Sequence, residues 1–269
     1  MTDQLGTDQI ILFDIDGRGV ATVTLNRPQI HNAFNDDVIL GLTRIWDDLA
    51  VRKDVRVVVL KGAGKSFSAG GDLDWMRKSG QATPEQNRAS TMNMARMLKK
   101  LNDLPQATLA LVHGNCMAGG TGLASAADMV VATRGAQFAL TEVRLGLTPA
   151  TISPYVVAAI GPRQARRYFL TAERFGADDA CRIGLIHEVV ADEGALETRG
   201  VELIGMLLQG APGAIRDSKI LVSRVTGRSV DEELMQFTAQ NIADRRASAE
   251  GQEGLAAFFD KRKPGWAQS

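Results

Sequence analysis

The stretch ATLALVHGNCMAGGTGLASAADMVVATRG (107–135) decides how the rest of the chain is read. ATLALVHG (107–114) is a short, mostly apolar run of the kind that a fully buried strand carries, and a second such run, DMVVATRG, begins at residue 128. The segment between them, NCMAGGTGLASAAD (115–128), has three glycines and no charge before Asp128. Small residues there bring backbone close to something and lead into a helical turn.

Working outward, residues 10–26 read as two strands joined by a tight turn at Asp16–Gly19, and Pro28 ends the second. Asn35 caps a helix running to about residue 52, with Val38, Leu42, Ile45 and Leu49 at helical spacing. VRVVVLKG (55–62) is another buried strand, residues 83–102 form a helix with Pro84 in its first turn, and QFAL (137–140) is a further short strand. Beyond residue 150 the pattern turns helical, with helices expected over 153–171, 177–183, 192–209, 212–225, 229–247 and 250–262. Alternating strands and helices followed by a helical tail predict an α/β core with a helical C-terminal region. The expected division is 1–200 for the core and 201–269 for the tail.

Composition narrows the function classes. The 269 residues are 45% hydrophobic, and 31 basic residues balance 31 acidic ones, so no global field draws the chain to nucleic acid or membrane. MTDQLGTDQI lacks the basic flank and apolar run of a signal peptide, and no stretch is long enough to span a bilayer. A cytoplasmic protein is expected. Cys116 and Cys181 read as buried free thiols, no Cys/His pattern predicts a metal site, and His31, His113 and His187 carry no catalytic signature.

GAGKS (62–66) resembles part of a phosphate-binding loop, but Val59 stands where that motif needs glycine. Gly120-Thr121-Gly122 is followed by Ser125 where a dinucleotide fingerprint needs a third glycine. What remains is a pair of similar loops, FSAGGDL (67–73) and CMAGGTGL (116–123), each after a buried strand and ahead of a helical turn. First-turn N–H groups have no partner in a helix, so two of them converging on one carbonyl oxygen would form an oxyanion hole. Two tight packing turns are the alternative reading.

Together these loops, TEVRLGLTP (141–149), the LNRP…Asn32-Ala33 segment, LTAERFGADDACRIGLIHEVV (170–190) and EGLAAFFDKRKPGW (253–266) resemble the crotonase family, the enoyl-CoA hydratase/isomerase group. The resemblance spans nearly the whole chain. It implies a spiral of ββα units, assembly as a homotrimer or a hexamer made of two trimers, and an acyl-CoA thioester substrate that brings its own CoA, with no separate cofactor and no metal. It places the oxyanion-hole amides on Gly71 and Gly119. It also places Asn32, Ala33 and Ala69 near the CoA moiety, with Lys261, Arg262 and Lys263 as candidates for its phosphates, on a neighbouring subunit if the family's assembly holds. The GGDLDWMRK segment adds Asp72, Leu73, Trp75 and Met76 to the expected substrate-binding set.

Hydratases of this family use two glutamates for general acid–base work. The second falls on Glu142, and the first falls on Gly122, which has no side chain. GGDLDWMRK (70–78), TEVRLGLTPATISPYVVAAIG (141–161) and RRYFLTAERF (166–175) resemble a bacterial branch that hydrates branched glutaconyl-CoA thioesters, such as 3-methylglutaconyl-CoA or isohexenylglutaconyl-CoA. The resemblance therefore implies a hydratase of leucine or acyclic terpene breakdown with one acid/base glutamate. Its alternatives are a Δ3,Δ2-enoyl-CoA isomerase using Glu142 as proton shuttle and an inactive acyl-CoA-binding homologue. A distal substrate carboxylate would call for a cation, with Arg77, Lys78 and Arg144 nearest by sequence, while Tyr155, Ala150, Thr151 and Ser153 are candidates for the acyl pocket.

Overall fold

The computed structural model describes residues 10–267. The stretch MTDQLGTDQI, which carries no targeting signal by its sequence, lies almost wholly outside the described residues. Asp16 accepts from the Arg18 and Val20 amides and so closes the turn between β1 (Ile11–Ile15) and β2 (Val20–Leu25), an antiparallel hairpin. Asn35 caps α1 (Asp36–Val51) by accepting from the Val38 amide. Trp46, rather than the expected Ile45, is fully buried on its inner face.

The next three units repeat one plan: a long strand, a short strand, then helix. They are β3 (Val57–Gly62), β4 (Ser66–Ser68), α2 (Leu73–Ser79) and α3 (Pro84–Asn102); β5 (Ala107–Val112), β6 (Asn115–Met117) and α4 (Gly119–Ser125); and β7 (Met129–Thr133), β8 (Gln137–Ala139) and α5 (Ser153–Thr171). Then follow β9 (Phe175–Gly176), α6 (Ala177–Arg182), β10 (Glu188–Val190) and α7 (Glu193–Gln209). Three further helices complete the chain: α8 (Pro212–Val225), α9 (Glu232–Ala247) and α10 (Ala249–Phe259).

The long strands join one sheet in the order β1-β2-β3-β5-β7-β10, and the short ones join a second in the order β4-β6-β8-β9. From β3 to β8 each successive unit adds one parallel strand to both sheets, with Val57 opposite Ala107 in the first and Asn115 opposite Gln137 in the second, and β9 then joins β8 antiparallel. This is the expected spiral of ββα units with its helical C-terminal region. Alternation along the strands divides the core: Val58, Leu60, Ala110 and Val112 face α1 and α3, whereas Val57, Val59, Leu109 and Leu111 face Leu196 and Ile204 of α7. Both faces are covered, which is why these strands read as continuous apolar runs.

Two expectations are corrected in detail. Residues 153–171 form two helical pieces, because Gly161 adopts φ 72 and Pro162 cannot continue the ladder of the preceding turn. The last helices are shorter than expected: α9 starts after its Asp231 cap, and α10 ends at Phe259, two residues before Lys261 turns to φ 55. Among the described residues no helix is long and apolar enough to cross a membrane.

The C-terminal region is tied to the sheet by two cations. Lys219 donates to the Leu104 and Gln106 carbonyls and pairs with Asp128 at 2.8 Å. Arg56, one residue before β3, donates to the carbonyls of Leu208, Gly210 and Trp266. Truncation would leave these carbonyls without their charged donor, so Arg56→Ala is expected to cost about 2–4 kcal/mol and to lower Tm by roughly 5–10 °C in a thermal melt.

Candidate active site

The first loop is set by Asn32, in the left-handed region at φ 56. Its amide donates to the Ala63 and Ser66 carbonyls at 2.9 and 2.7 Å, and its side-chain oxygen accepts from the Arg27 amide at 2.8 Å. Ser68 Oγ in turn donates to the Asn32 carbonyl. Asp72 caps α2 by accepting from the Asp74 and Trp75 amides, and its other oxygen pairs with Arg27 at 2.9 Å. Burial pushes the Asp72 carboxyl upward, but these amides and the guanidinium outweigh it and hold the pKa below the usual value.

Phe34 then stitches the loop down. Its N–H donates to the Gly70 carbonyl at 2.7 Å, and its carbonyl accepts from the Asp72 N–H at 2.8 Å. In a parallel bridge of this kind the middle residue, Gly71, turns its own N–H away from Phe34. Gly70 lies at φ 88 and packs on the second loop, where a Cβ would fall 3.0 Å from both Ala118 Cβ and the Met117 carbonyl. In that second loop Ala118 holds φ 46 and ψ −116, a sparsely populated conformation for a residue with a side chain, and donates to the Ala139 carbonyl. The turn delivers Gly119 as the first residue of α4, where its N–H has no helical partner. Neither the Gly71 nor the Gly119 N–H has a backbone acceptor among the described residues.

Both glycines line one cavity of about 680 Å³, together with Ala69 and Glu142. Its wall is otherwise apolar or neutral, with Trp75, Met76 and Met94 inside and Leu73, Leu145 and Leu147 well exposed at the rim. Glu142 is the single ionisable residue among those lining it. It opens a short 3-10 turn (Glu142–Leu145), and its Oε2 is buried without a hydrogen-bond partner. Burial raises its pKa above the usual carboxylate value, opposed only by its own backbone amide. A carboxyl so placed holds its proton more tightly than one in water.

Of the residues expected at the site, Gly71, Gly119, Glu142, Ala69, Leu73, Trp75 and Met76 come together at this cavity, and Thr151 joins them. Others do not. Asn32 and Ala33 are buried behind the loop, and Asp72 is spent on Arg27 and the α2 cap, so these residues position the wall without forming it. Arg144 and Lys78 are exposed outside the cavity, and Arg77 pairs with Asp74 at the surface. No cation therefore lines the cavity among the described residues. Lys261 is exposed and is not in the wall of its own protomer's cavity, and Arg262 is held by Glu253 at 2.7 Å. Tyr155 lines a separate groove with Asp128 and His187, while Ser153 Oγ donates to the Ala150 carbonyl.

Gly122 is the most instructive departure. It is buried and absent from the cavity wall, and a Cβ on it would fall 2.0 Å from Ile152 Cγ2. Ile152, which sequence reasoning missed, lines the cavity instead. Its signal in the sequence is indirect: a glycine inside a buried helix must have a neighbour filling the space. The histidines are structural, with His31 Nδ1 within 3.0 Å of Ser66 Oγ, His113 Nε2 within 2.8 Å of the Gly64 carbonyl, and His187 accepting from the Val130 amide. Cys116 is fully buried, which pushes its thiol pKa up, and Cys181 is half-buried.

The sequence profile of the enoyl-CoA hydratase/isomerase family matches residues 16–269. A crystal structure of an enoyl-CoA hydratase from Shewanella pealeana superposes with a TM-score of 0.92 at 40% identity, covering 96% of each chain. A short-chain-enoyl-CoA hydratase of Clostridium acetobutylicum is 29% identical over 94% of this chain and 95% of its own. A mitochondrial Δ(3,5)-Δ(2,4)-dienoyl-CoA isomerase of Dictyostelium discoideum is 28% identical over 93% of this chain and 88% of its own. Fold, paired loops and comparisons agree: the chain belongs to the enoyl-CoA hydratase/isomerase family.

Proposed function

We propose that the chain adds water across the double bond of a 2-enoyl-CoA thioester, with Glu142 as the single proton carrier. The observation that carries this reading is the unpartnered, buried Glu142 Oε2 in a cavity lined also by Gly71 and Gly119, whose N–H groups have no backbone acceptor among the described residues. The Gly71 and Gly119 N–H groups would donate to the thioester oxygen. They act most strongly as charge develops there, when Cα becomes carbanion-like. Glu142 would take a proton from water as its oxygen bonds to C3, and return a proton to C2 as the enolate collapses. CoA enters as part of the substrate.

Isomerisation is the second reading, favoured by the absence of another acid in the wall. There Glu142 would remove a proton from C2 of a 3-enoyl thioester and deliver one to C4. For the acyl group we propose a branched glutaconyl type, on the sequence resemblance. Its distal carboxylate would meet the neutral donors Asn87 and Thr91 of α3, both in the cavity wall, since Arg77, Lys78 and Arg144 stand outside. Self-association, as a trimer or hexamer, is supported by the apolar residues that α8–α10 leave to solvent: Val222, Ile242, Phe258 and Phe259 are each at least half exposed.

Three outcomes are expected. Glu142→Gln lowers turnover by roughly 10²- to 10⁴-fold while acyl-CoA binding, measured by calorimetry, persists; near-normal rates would remove Glu142 from its role. The same variant is also expected to be more stable than wild type at neutral pH. A carboxyl whose folded pKa is raised binds its proton more tightly in the native state. Wild-type stability therefore falls as pH rises from 4.5 through the folded value, and the variant escapes that loss. Denaturant titrations from pH 4 to 8 read the difference, which is expected to grow across that window and then level off. Finally, turnover of 2-enoyl-CoA esters in ¹⁸O-water is expected to yield labelled 3-hydroxyacyl product, with esters carrying a distal carboxylate turned over fastest. Double-bond migration in 3-enoyl esters without label would select the isomerase reading.

A further inference from the structure

Ile152 and Gly122 interlock. An ideal Cβ at position 122 lies 2.0 Å from Ile152 Cγ2, 2.5 Å from its Cβ and 3.5 Å from its Cα. Position 122 therefore carries no side chain while Ile152 stands, and any side chain there would run along the line that Ile152 now fills. Ile152 itself is 1% exposed, precedes α5 as its cap residue, and lines the cavity with Glu142.

We infer that Ile152 is a reaction-determining residue: it closes the direction from which α4 could present a side chain to the cavity, and it makes that wall apolar. This rests on the reading of Glu142 as proton carrier. Where Ile152 stands the wall offers water no hydrogen-bond partner, and Glu142 is the one carboxylate among the residues lining the cavity, so a reacting water has it as its one carboxylate acceptor. Chemistry that runs through one carboxylate is retained, and chemistry that needs a second one beside α4 is excluded.

The geometry dictates which substitutions open the position. Ile152→Ala does not, because it keeps a Cβ 2.5 Å from the new one. Ile152→Gly does, because the remaining contact, Cα at 3.5 Å, is ordinary packing, and glycine is well tolerated at a helix cap.

The test is a double-mutant cycle on the full chain, read first by thermal melts. Gly122→Ala alone is expected to lower Tm by roughly 5 °C or more through overpacking, and by less than about 2 °C when made in the I152G background. Equal losses in both backgrounds overturn the steric pairing. The second readout is hydration of but-2-enoyl-CoA, an ester without a distal carboxylate. G122E/I152G is expected to exceed I152G by at least about 10-fold, and G122Q/I152G to show no such gain. A folded G122E/I152G without the gain, or an equal gain in the glutamine variant, overturns the assignment. The underlying reading is judged separately by Glu142→Gln: its failure there leaves the melt cycle informative, and its success there does not rescue a failed cycle.

Discussion

The close approach of two loops that end neighbouring strands governs the rest of this molecule. Gly70, at φ 88, meets the Met117 carbonyl and Ala118 so closely that a Cβ would press on both at 3.0 Å, and a Cβ on Gly120 would fall 2.7 Å from the Ser68 carbonyl. Parallel pairing of β4 with β6 sets the loops side by side, and the spiral supplies that pairing by advancing each sheet one strand per unit. Because the contact is made by glycine backbone against carbonyls and the short side chains of Ser68 and Ala118, the Gly71 and Gly119 amides beside it are held by the fold itself, not by long flexible side chains. In the proposed reaction, donors held in this way would cost no reorganisation as charge develops.

Around this contact, polar groups act as braces more than as reagents. Asn32 spends its whole side chain on the backbone of residues 27, 63 and 66. Arg27 and Asp72 hold each other with both side chains largely buried, and Asp72 also starts α2. Such a buried pair contributes little net stability against an apolar replacement, but losing one partner leaves a costly charge. The arrangement fixes where Trp75 and Met76 enter the cavity, which is a positioning effect rather than a chemical one.

The long strands, the cap at Asn35 and the paired glycine loops are legible in the sequence, because each has a local cause. Apolar runs mark strands buried on both faces, and capping residues mark helix starts. The second sheet was less legible: β4, β6 and β9 are two or three residues long, too short for any periodicity to register. Contacts distant in sequence were invisible for the same reason. Nothing local to Arg56 announces three carbonyls from the C-terminal region, and nothing local to Ile152 announces Gly122 thirty residues earlier. Motif resemblance named Gly71, Gly119 and Glu142, which line one cavity, and it also named Asn32 and Arg144, which stand outside that cavity's wall.

The site also shows where stability is given up. Oε2 of Glu142 is buried with no donor, and Ala118 holds a backbone conformation that disfavours any residue with a Cβ. A donor beside Glu142 would stabilise the carboxylate and pull its raised pKa back down. A relaxed Ala118 would swing the start of α4, and with it the Gly119 N–H. Both unfavourable features sit within the same cavity wall, and the surrounding core, with Phe34, Phe67 and Phe138 fully buried, is what holds them in place.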